Sequence, residues 1–219
     1  MGISQRLSSG RLAVFVVGFF VIWAIPFVAV TSIGAAGSLS YWIAVKMLIF
    51  VWYPWLFWRE RLAEQLDLIG ANISSLRRGL LWGITATGIW LTLNGASAAL
   101  MGLHLQLAPL TLRALYLILF VPVVEEVFFR GYVQSALLGI DGSAFRAIFT
   151  TSLLFTAFHF VGWSFQGSLM RNLHTSIPEN IFLLGLLLGF VRHRSGSLMA
   201  SIILHAANNA VSVMLFGGN

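Results

Sequence analysis

The sequence predicts an all-α protein, a polytopic membrane helical bundle of about seven transmembrane helices. Of its 219 residues, 58% are hydrophobic and only 9% are charged, whereas soluble domains contain roughly 45 to 50% and 25%. Hydrophobic segments follow one another with short interruptions, and about 20 residues suffice for one span. We therefore expect a single integral membrane domain over residues 1–219, surrounded by the lipid bilayer.

Seven apolar segments are assigned along the chain. The first follows Arg6 and Arg11 and is too long for the hydrophobic region of a signal peptide, so we expect it to be retained. Longer polar stretches lie at Arg59 to Arg78 and at Gly162 to Pro178, and the turn from Gly34 to Ser38 is short. The predicted segments are about 12–33, 39–58, 79–101, 112–138, 143–161, 179–191 and 197–216, and a start before Glu179 stays open for the short sixth segment.

The arginines predict the orientation of the bundle. With the N-terminus in the cytoplasm and the C-terminus outside, only Arg113 and Arg171 fall on the outer side, as the positive-inside rule requires. The arginines on the cytoplasmic side are Arg6, Arg11, Arg59, Arg61, Arg77, Arg78, Arg146, Arg192 and Arg194. This distribution accounts for the net charge of +6, so we expect no nucleic-acid partner. The sequence has no cysteine, which excludes disulfides and thiolate chemistry.

Two adjacent glutamates, Glu125 and Glu126, lie inside the fourth segment. A charge at the bilayer centre costs at least about 2.5 to 3.5 kcal/mol, so the pair requires partners, water or a function. Glu126 shares a helix face with Arg130, whereas Glu125 points about 100° away and has no evident local cation. Pro122 is expected to kink the helix and admit water to Glu125. The alternative is that both acids pair with arginines and only fix helix packing.

Two further segments carry polar residues at matching depth. Counted from the turn at residues 139–142, Glu125 and His159 stand roughly 15 and 18 residues along antiparallel helices, so their depths differ by about one turn. In the seventh segment, His205 and Asn209 are four residues apart and share a face, with small alanines between them. Asn208 faces away. The other histidines, at predicted connections or interfaces, are His104, His174 and His193.

This inventory suits peptide hydrolysis. A carboxylate with a histidine can deprotonate water, and a second histidine with an asparagine can stabilise the oxyanion that forms on the attacked amide. Ser201 has no base nearby in sequence, so no serine-nucleophile arrangement competes. The zinc signature His-Glu-x-x-His is absent. We expect no cofactor, although zinc held by Glu125, His159 and His205 stays open as an alternative.

At these residues the chain resembles the CPBP (ABI) family of intramembrane proteases, which contains CAAX prenyl endopeptidases and bacteriocin-processing or self-immunity enzymes. The family signatures Glu-Glu-x-x-x-Arg, Phe-x-x-x-His and His-x-x-x-Asn occur in order at Glu125 to Arg130, Phe155 to His159 and His205 to Asn209. The resemblance covers the catalytic-motif core at residues 112–216. It implies a glutamic rather than a metal-dependent protease.

The resemblance also implies a role for each site residue. Glu125 and His159 would activate water, His205 and Asn209 would form the oxyanion hole, and Glu126 with Arg130 would support the site. The substrate would be a membrane-associated or lipidated peptide. The compact length is similar to the prokaryotic branch of the family, which implies the cytoplasmic membrane of a prokaryote.

A second class of function stays open from the residues alone. The polar cluster would serve helix packing in a non-catalytic immunity or scaffold protein, or a proton relay in a small transporter. A transporter is expected to have related halves or broken helices, and no such symmetry is visible in the sequence.

Overall fold

In the computed structural model the chain is a bundle of α-helices. The structure describes residues 8–33, 38–58, 70, 73–100 and 109–216. Within these ranges there are eight helices, with contiguous helical segments counted as one, and no strand. They are α1 (Ser9–Ile33), α2 (Leu39–Trp58), α3 (Leu76–Leu100), α4 (112–141), α5 (Ala144–Phe165), α6 (Leu169–Leu173), α7 (Ile177–Ser195) and α8 (Leu198–Phe216).

The predicted fold class, a helical membrane bundle, is confirmed. Each of the seven predicted segments corresponds to one long helix. By length and composition, three helices suffice to cross a membrane, Ser9–Ala29, Leu39–Trp58 and Ala144–Phe165, and Leu198–Val213 is a shorter apolar helix. The exact number of seven spans therefore stays a prediction.

Two helix boundaries in the C-terminal half differ from the approximate predicted ones. The connection expected at 162–178 is partly helical, because α5 continues to Phe165 and the short α6 follows. The sixth segment is longer than predicted: α7 starts at Ile177, with Pro178 in its first turn, and ends before Gly196, whose φ of 68° is favourable only for glycine.

Some predicted features lie outside the described residues. They are Arg6, His104, residues 34–37 of the predicted first turn, and residues 59–69 and 71–72 of the predicted main loop. The part of that loop that is described contains a 3₁₀ turn, Ile73–Ser75, and the beginning of α3 at Leu76.

Helix α1 has one face toward the protein and one toward the surroundings. Phe15 and Phe19 are fully buried, whereas Val14 and Val17 are 65% and 62% exposed. Such an apolar outer stripe is unusual for a soluble monomer, but it suits a helix whose outer face contacts lipid. The stripe continues through Val21, Ile25 and Val28.

Helix α4 lies at the centre of the bundle, where it packs against α2, α5, α7 and α8. On one side it contributes Phe128 to an aromatic core, in which the rings of Phe128 and Phe19 stack with centroids 3.8 Å apart. A second apolar cluster joins α3, α7 and α8 around Leu188 and Leu204. Side chains on α4 can therefore reach most of the bundle.

Helix α4 is interrupted by two π-helical segments, Tyr116–Phe120 and Val127–Val133, which flank an α-helical segment, Val121–Glu126. Pro122 lies at the start of that middle segment. Pro122 predicted a distortion of this helix, but the sequence did not predict the π-helical turns. Wide turns of this kind occur frequently at functional sites.

Candidate active site

Glu125 is buried and forms an ion pair with Lys46 of α2. Lys46 Nζ lies 2.6 Å from Glu125 Oε1, and the two side chains are 9% and 4% exposed. The sequence offers Glu125 no local cation, and its partner is indeed not local, since Lys46 lies 79 residues earlier. Lys46 is the only lysine in the sequence and lies within a predicted span. A lone buried cation needs an anionic partner as much as a buried glutamate needs a cation.

Glu126 and Arg130 form the predicted pair. Arg130 Nη1 donates to Glu126 Oε1 at 2.8 Å, and both side chains are completely buried. Arg130 Nη2 donates to the backbone oxygen of Gly185 on α7 at 3.2 Å, and its guanidinium lies 4.4 Å from the ring centroid of Phe155 on α5. The pair thus connects three helices, which suits a supporting role.

His205 of α8 lies between the two glutamates. Its Nδ1 is 2.9 Å from Glu126 Oε1, and its Nε2 is 3.9 Å from Glu125 Oε2. The shorter contact is a hydrogen bond, in which Nδ1–H donates to the carboxylate. The longer separation exceeds hydrogen-bond length. The Nε2 edge of the ring is therefore directed toward the same oxygen of Glu125 that Lys46 leaves free.

His159 of α5 is half-buried and lies close enough to Glu125 and His205 to interact with both electrostatically. Its Nδ1 is 2.8 Å from the backbone oxygen of Phe155. A carbonyl only accepts, so Nδ1 carries the proton in this contact and Nε2 of the neutral ring has a free lone pair. His159 and Glu125 thus lie near each other, as their matching depth along antiparallel helices predicted.

Asn209, one turn beyond His205, is anchored to α4. Its Nδ2 donates to the backbone oxygen of Leu117 at 2.9 Å. In the π-helical segment Tyr116–Phe120, the preceding carbonyl, that of Tyr116, accepts from Val121 five residues later. The corresponding donor for Leu117 would be Pro122, which has no N–H. The proline therefore leaves a backbone carbonyl for Asn209 to bind.

Two neighbouring polar residues on α8 have other partners. Asn208 accepts a hydrogen bond from Trp90 Nε1 of α3 at 3.1 Å, and its Nδ2 also lies 3.5 Å from Asn209 Oδ1. Ser201 is completely buried and donates to the backbone oxygen of Leu198 within its own helix. Its hydroxyl is therefore engaged locally, as expected for a residue without a catalytic base.

A zinc site would require Glu125, His159 and His205 as its ligands. Within the described part of the chain, no three His, Cys, Asp or Glu side chains are arranged to hold a metal ion. In addition, the ammonium group of Lys46 contacts Glu125 Oε1, where a metal ligand would need to be free of a competing cation. In this arrangement the cation beside Glu125 Oε1 is the ammonium group of Lys46.

A known protein family matches the part of the chain that contains this site. Residues 107–211 match the family described as Type II CAAX prenyl endopeptidase Rce1-like. Residues 107–211 form an Rce1-like domain of the CAAX protease family. The predicted family membership is confirmed, and the Rce1-like domain contains all six predicted site residues, Glu125, Glu126, Arg130, His159, His205 and Asn209. No significant similarity to a curated protein or to a solved structure was found.

The family match and the apolar helices identify the chain as an integral membrane protein of a protease family. The Rce1-like domain includes α4, α5, α7 and most of α8. Helices α1 and α2 precede it, so Lys46 reaches the site from outside the domain.

Proposed function

We propose that the chain is an intramembrane endopeptidase that hydrolyses a peptide bond of a membrane-associated or lipidated protein or peptide. The observation that carries the proposal is the approach of Glu125 on α4 to His205 on α8, with 3.9 Å between Oε2 and Nε2, in the Rce1-like domain. Both side chains are buried among apolar helices. Paired ionisable groups in such a setting are expensive, and they mark functional sites by default.

Glu125 and His159 are proposed to activate the attacking water. Lys46 engages Oε1 of Glu125, and Oε2 can then accept a proton from the water. His159 presents the lone pair of Nε2 because its Nδ1–H donates to a backbone carbonyl. As the water oxygen bonds to the peptide carbon, one water proton passes to Glu125, which acts as the base.

His205 and Asn209 are proposed to stabilise the oxyanion of the tetrahedral intermediate. The Nδ1–H of His205 binds Glu126, so its Nε2 donates when the ring carries both protons. Asn209 uses one N–H for Leu117 and has a second N–H for the oxyanion. When the intermediate collapses, the carbon–nitrogen bond breaks and the proton held by the base passes to the leaving nitrogen.

A scaffold or immunity function remains the second candidate, and one observation favours it. The ion pair between Lys46 and Glu125 joins α2 to α4 and would strengthen the bundle without any catalysis. The two candidates differ in what Glu125→Gln does, because a packing role requires the side chain's shape and polar contact while water activation requires a group that accepts a proton.

The test compares the peptide termini of the membrane proteome in cells that carry the parent protein, Glu125→Gln or Asp141→Asn. The last variant is a matched control, because it also converts an acid to an amide but at a more exposed position outside the site. We expect new termini with the parent and the control and none with Glu125→Gln, at equal protein levels. A farnesylated peptide with a C-terminal CAAX sequence, presented in nanodiscs, serves as a direct probe. If Glu125→Gln cells have the same termini as parent cells, no cleavage depends on Glu125, the water-activation role is wrong and the scaffold function is favoured.

The setting of the enzyme is part of the proposal. We infer a single integral membrane domain over residues 1–219 with its catalytic core at 112–216, in the cytoplasmic membrane of a prokaryote. The N-terminus faces the cytoplasm and the C-terminus the outside, which is supported by the arginine distribution.

A further inference from the structure

Lys46 contacts the candidate base from a helix that lies outside the Rce1-like domain. We propose that Lys46 is a positioning residue that orients the Glu125 carboxylate and balances its charge, so that Glu125 is ready to accept a proton from water. This inference rests on the proposed protease function. It assigns a role in the site to α2.

The ammonium group of Lys46 is held in an aromatic cage. Its Nζ lies 4.7 Å from the ring centroid of Phe50, 5.1 Å from that of Trp23 and 5.3 Å from that of Phe158. These rings come from α2, α1 and α5, and each can stabilise a desolvated cation. Aromatic rings offer no hydrogen-bond acceptor comparable to a carboxylate, so the cage favours a charged lysine that directs its donor at Glu125.

The contact with Lys46 determines how the carboxylate is oriented. With Oε1 fixed at 2.6 Å from Nζ, the other oxygen, Oε2, is turned toward Nε2 of His205. A carboxylate can rotate about its last bond, and a single strong charge-assisted hydrogen bond removes much of that freedom. Preorganisation of this kind matters because small displacements of a catalytic group reduce rates sharply.

Lys46 also completes the charge balance of the site. The charged and titratable groups around Glu125 are Lys46 from α2, His159 from α5, His205 from α8, and Arg130, Tyr116 and the adjacent Glu126 from α4 itself. Two carboxylates, Glu125 and Glu126, are thus paired with two basic side chains, Lys46 and Arg130. Without Lys46 one carboxylate would lack its cation at low dielectric, and an uncompensated buried charge is avoided by taking up a proton.

The first test needs no substrate. Infrared spectra of the reconstituted parent, Lys46→Met and Lys46→Met/Glu125→Gln are compared at neutral pH. We expect a protonated carboxylic-acid band in Lys46→Met that is missing from both the parent and the double variant, and we expect Lys46→Arg to resemble the parent. If Lys46→Met has no such band, Lys46 does not set the state of Glu125 and the inference is overturned.

Folding failure is also informative. If Lys46→Met does not fold but the double variant does, the lost ion pair is responsible, as proposed. Suppose instead that neither Lys46→Met nor the double variant folds, and that Lys46→Arg shows the protonated carboxylic-acid band of an unpaired Glu125. Lys46 then acts only in packing and the inference is wrong.

The second test measures kcat/KM as a function of pH on the farnesylated CAAX peptide in nanodiscs. The acid limb of the profile is expected to move to higher pH by about 1 to 3 units in Lys46→Met. Activity at neutral pH then falls about 10-fold or more and recovers as the pH rises, whereas Lys46→Arg keeps the parental midpoint. A uniform loss at every pH contradicts the inference. If the parent cleaves nothing, the protease proposal fails while the infrared result still tests Lys46.

Discussion

His205 and Arg130 bind the same oxygen of Glu126. His205 Nδ1 lies 2.9 Å and Arg130 Nη1 2.8 Å from Glu126 Oε1, and the carboxylate is completely buried. Glu126 thereby connects α8 to the arginine that binds the backbone of α7. The supporting pair and the candidate oxyanion-binding histidine are parts of one hydrogen-bonded network.

Glu126→Gln is expected to destabilise the protein by about 3 kcal/mol or more, because removal of one partner leaves the charge of Arg130 buried without compensation. The matched control is Asp141→Asn. Asp141 pairs with Arg146 at 2.6 Å, but these side chains are 32% and 65% exposed. An exposed pair contributes about 0 to 1 kcal/mol, so the control should unfold close to the parent. Thermal unfolding in detergent measures both. Equal stability of the two variants would contradict the importance assigned to the buried network.

Gly189→Ala is expected to destabilise the bundle by about 1 to 3 kcal/mol through overpacking. A Cβ at Gly189 would lie 2.9 Å from Ile148 Cγ2 and 2.9 Å from Gln134 Oε1, and Gln134 also donates to the Gly189 carbonyl. The control is Gly88→Ala on α3, where an added Cβ meets no atom within 4 Å. Unfolding in detergent should leave the control unchanged or stabilised, since alanine favours helix. A destabilised Gly88→Ala with an unaffected Gly189→Ala would refute this packing argument.

Much of the fold followed from hydropathy, because each long apolar segment is a helix in a protein of this class. The pair of Glu126 and Arg130 followed from helical spacing alone, since residues four apart share a face. The pair of Lys46 and Glu125 did not, because it depends on which helices are neighbours. Helical periodicity carries no information on that choice. The sequence feature that could have indicated this pair is the single lysine, Lys46, which lies within a predicted span.

The backbone detail of α4 was also beyond the sequence argument. Pro122 predicted an interruption, but whether a helix responds with a kink or a π-helical segment depends on the packing around it. In the π-helical register a carbonyl accepts from the residue five positions later, as Tyr116 does from Val121. Pro122, which has no N–H, therefore stands at the donor position for Leu117 rather than for Ile118. Asn209 could therefore be assigned to a polar face of α8 but not to its anchor on α4.

Pro122→Ala is expected to weaken the anchoring of Asn209. The alanine supplies the N–H that the Leu117 carbonyl lacks, so the backbone competes with the Asn209 amide for this acceptor. kcat should fall with little change in KM, because only the orientation of a group that acts in the transition state is disturbed. Thermal stability should be equal or higher. An unchanged kcat on the farnesylated peptide would show that the proline has no part in positioning Asn209.

Reporter fusions test the proposed topology. A reporter that is active only outside the cytoplasm should be active when fused after Asn219, and a reporter active only in the cytoplasm should be active when inserted at residue 66. The expectation rests on the arginine asymmetry. Cytoplasmic activity at the C-terminus would mean that the number of spans is even. The region around 162–178 and α7 would then require a new assignment, because those boundaries differed most from prediction.

The last prediction distinguishes oxyanion stabilisation from metal ligation at His205 and Asn209. Asn209→Ala should reduce kcat by about 10² to 10³ with little change in KM, because a hydrogen bond to the developing oxyanion strengthens only in the transition state. Asn94→Ala on α3 is the matched control: this exposed asparagine donates to the backbone oxygen of Trp90 and lies outside the site, so kcat should stay near the parental value.

His205→Gln should retain partial activity if the ring only donates a hydrogen bond, since glutamine can also donate one. If His205 instead held a metal, its loss would abolish both activity and metal content, and a chelator would inactivate the parent. Turnover of the variants is therefore measured beside elemental analysis of the purified parent. Stoichiometric zinc with cleavage that a chelator removes and zinc restores would overturn the glutamate mechanism. Full turnover by metal-free parent, together with partial turnover by His205→Gln, is the expected result, because the ammonium of Lys46 already provides the cation that Glu125 Oε1 binds.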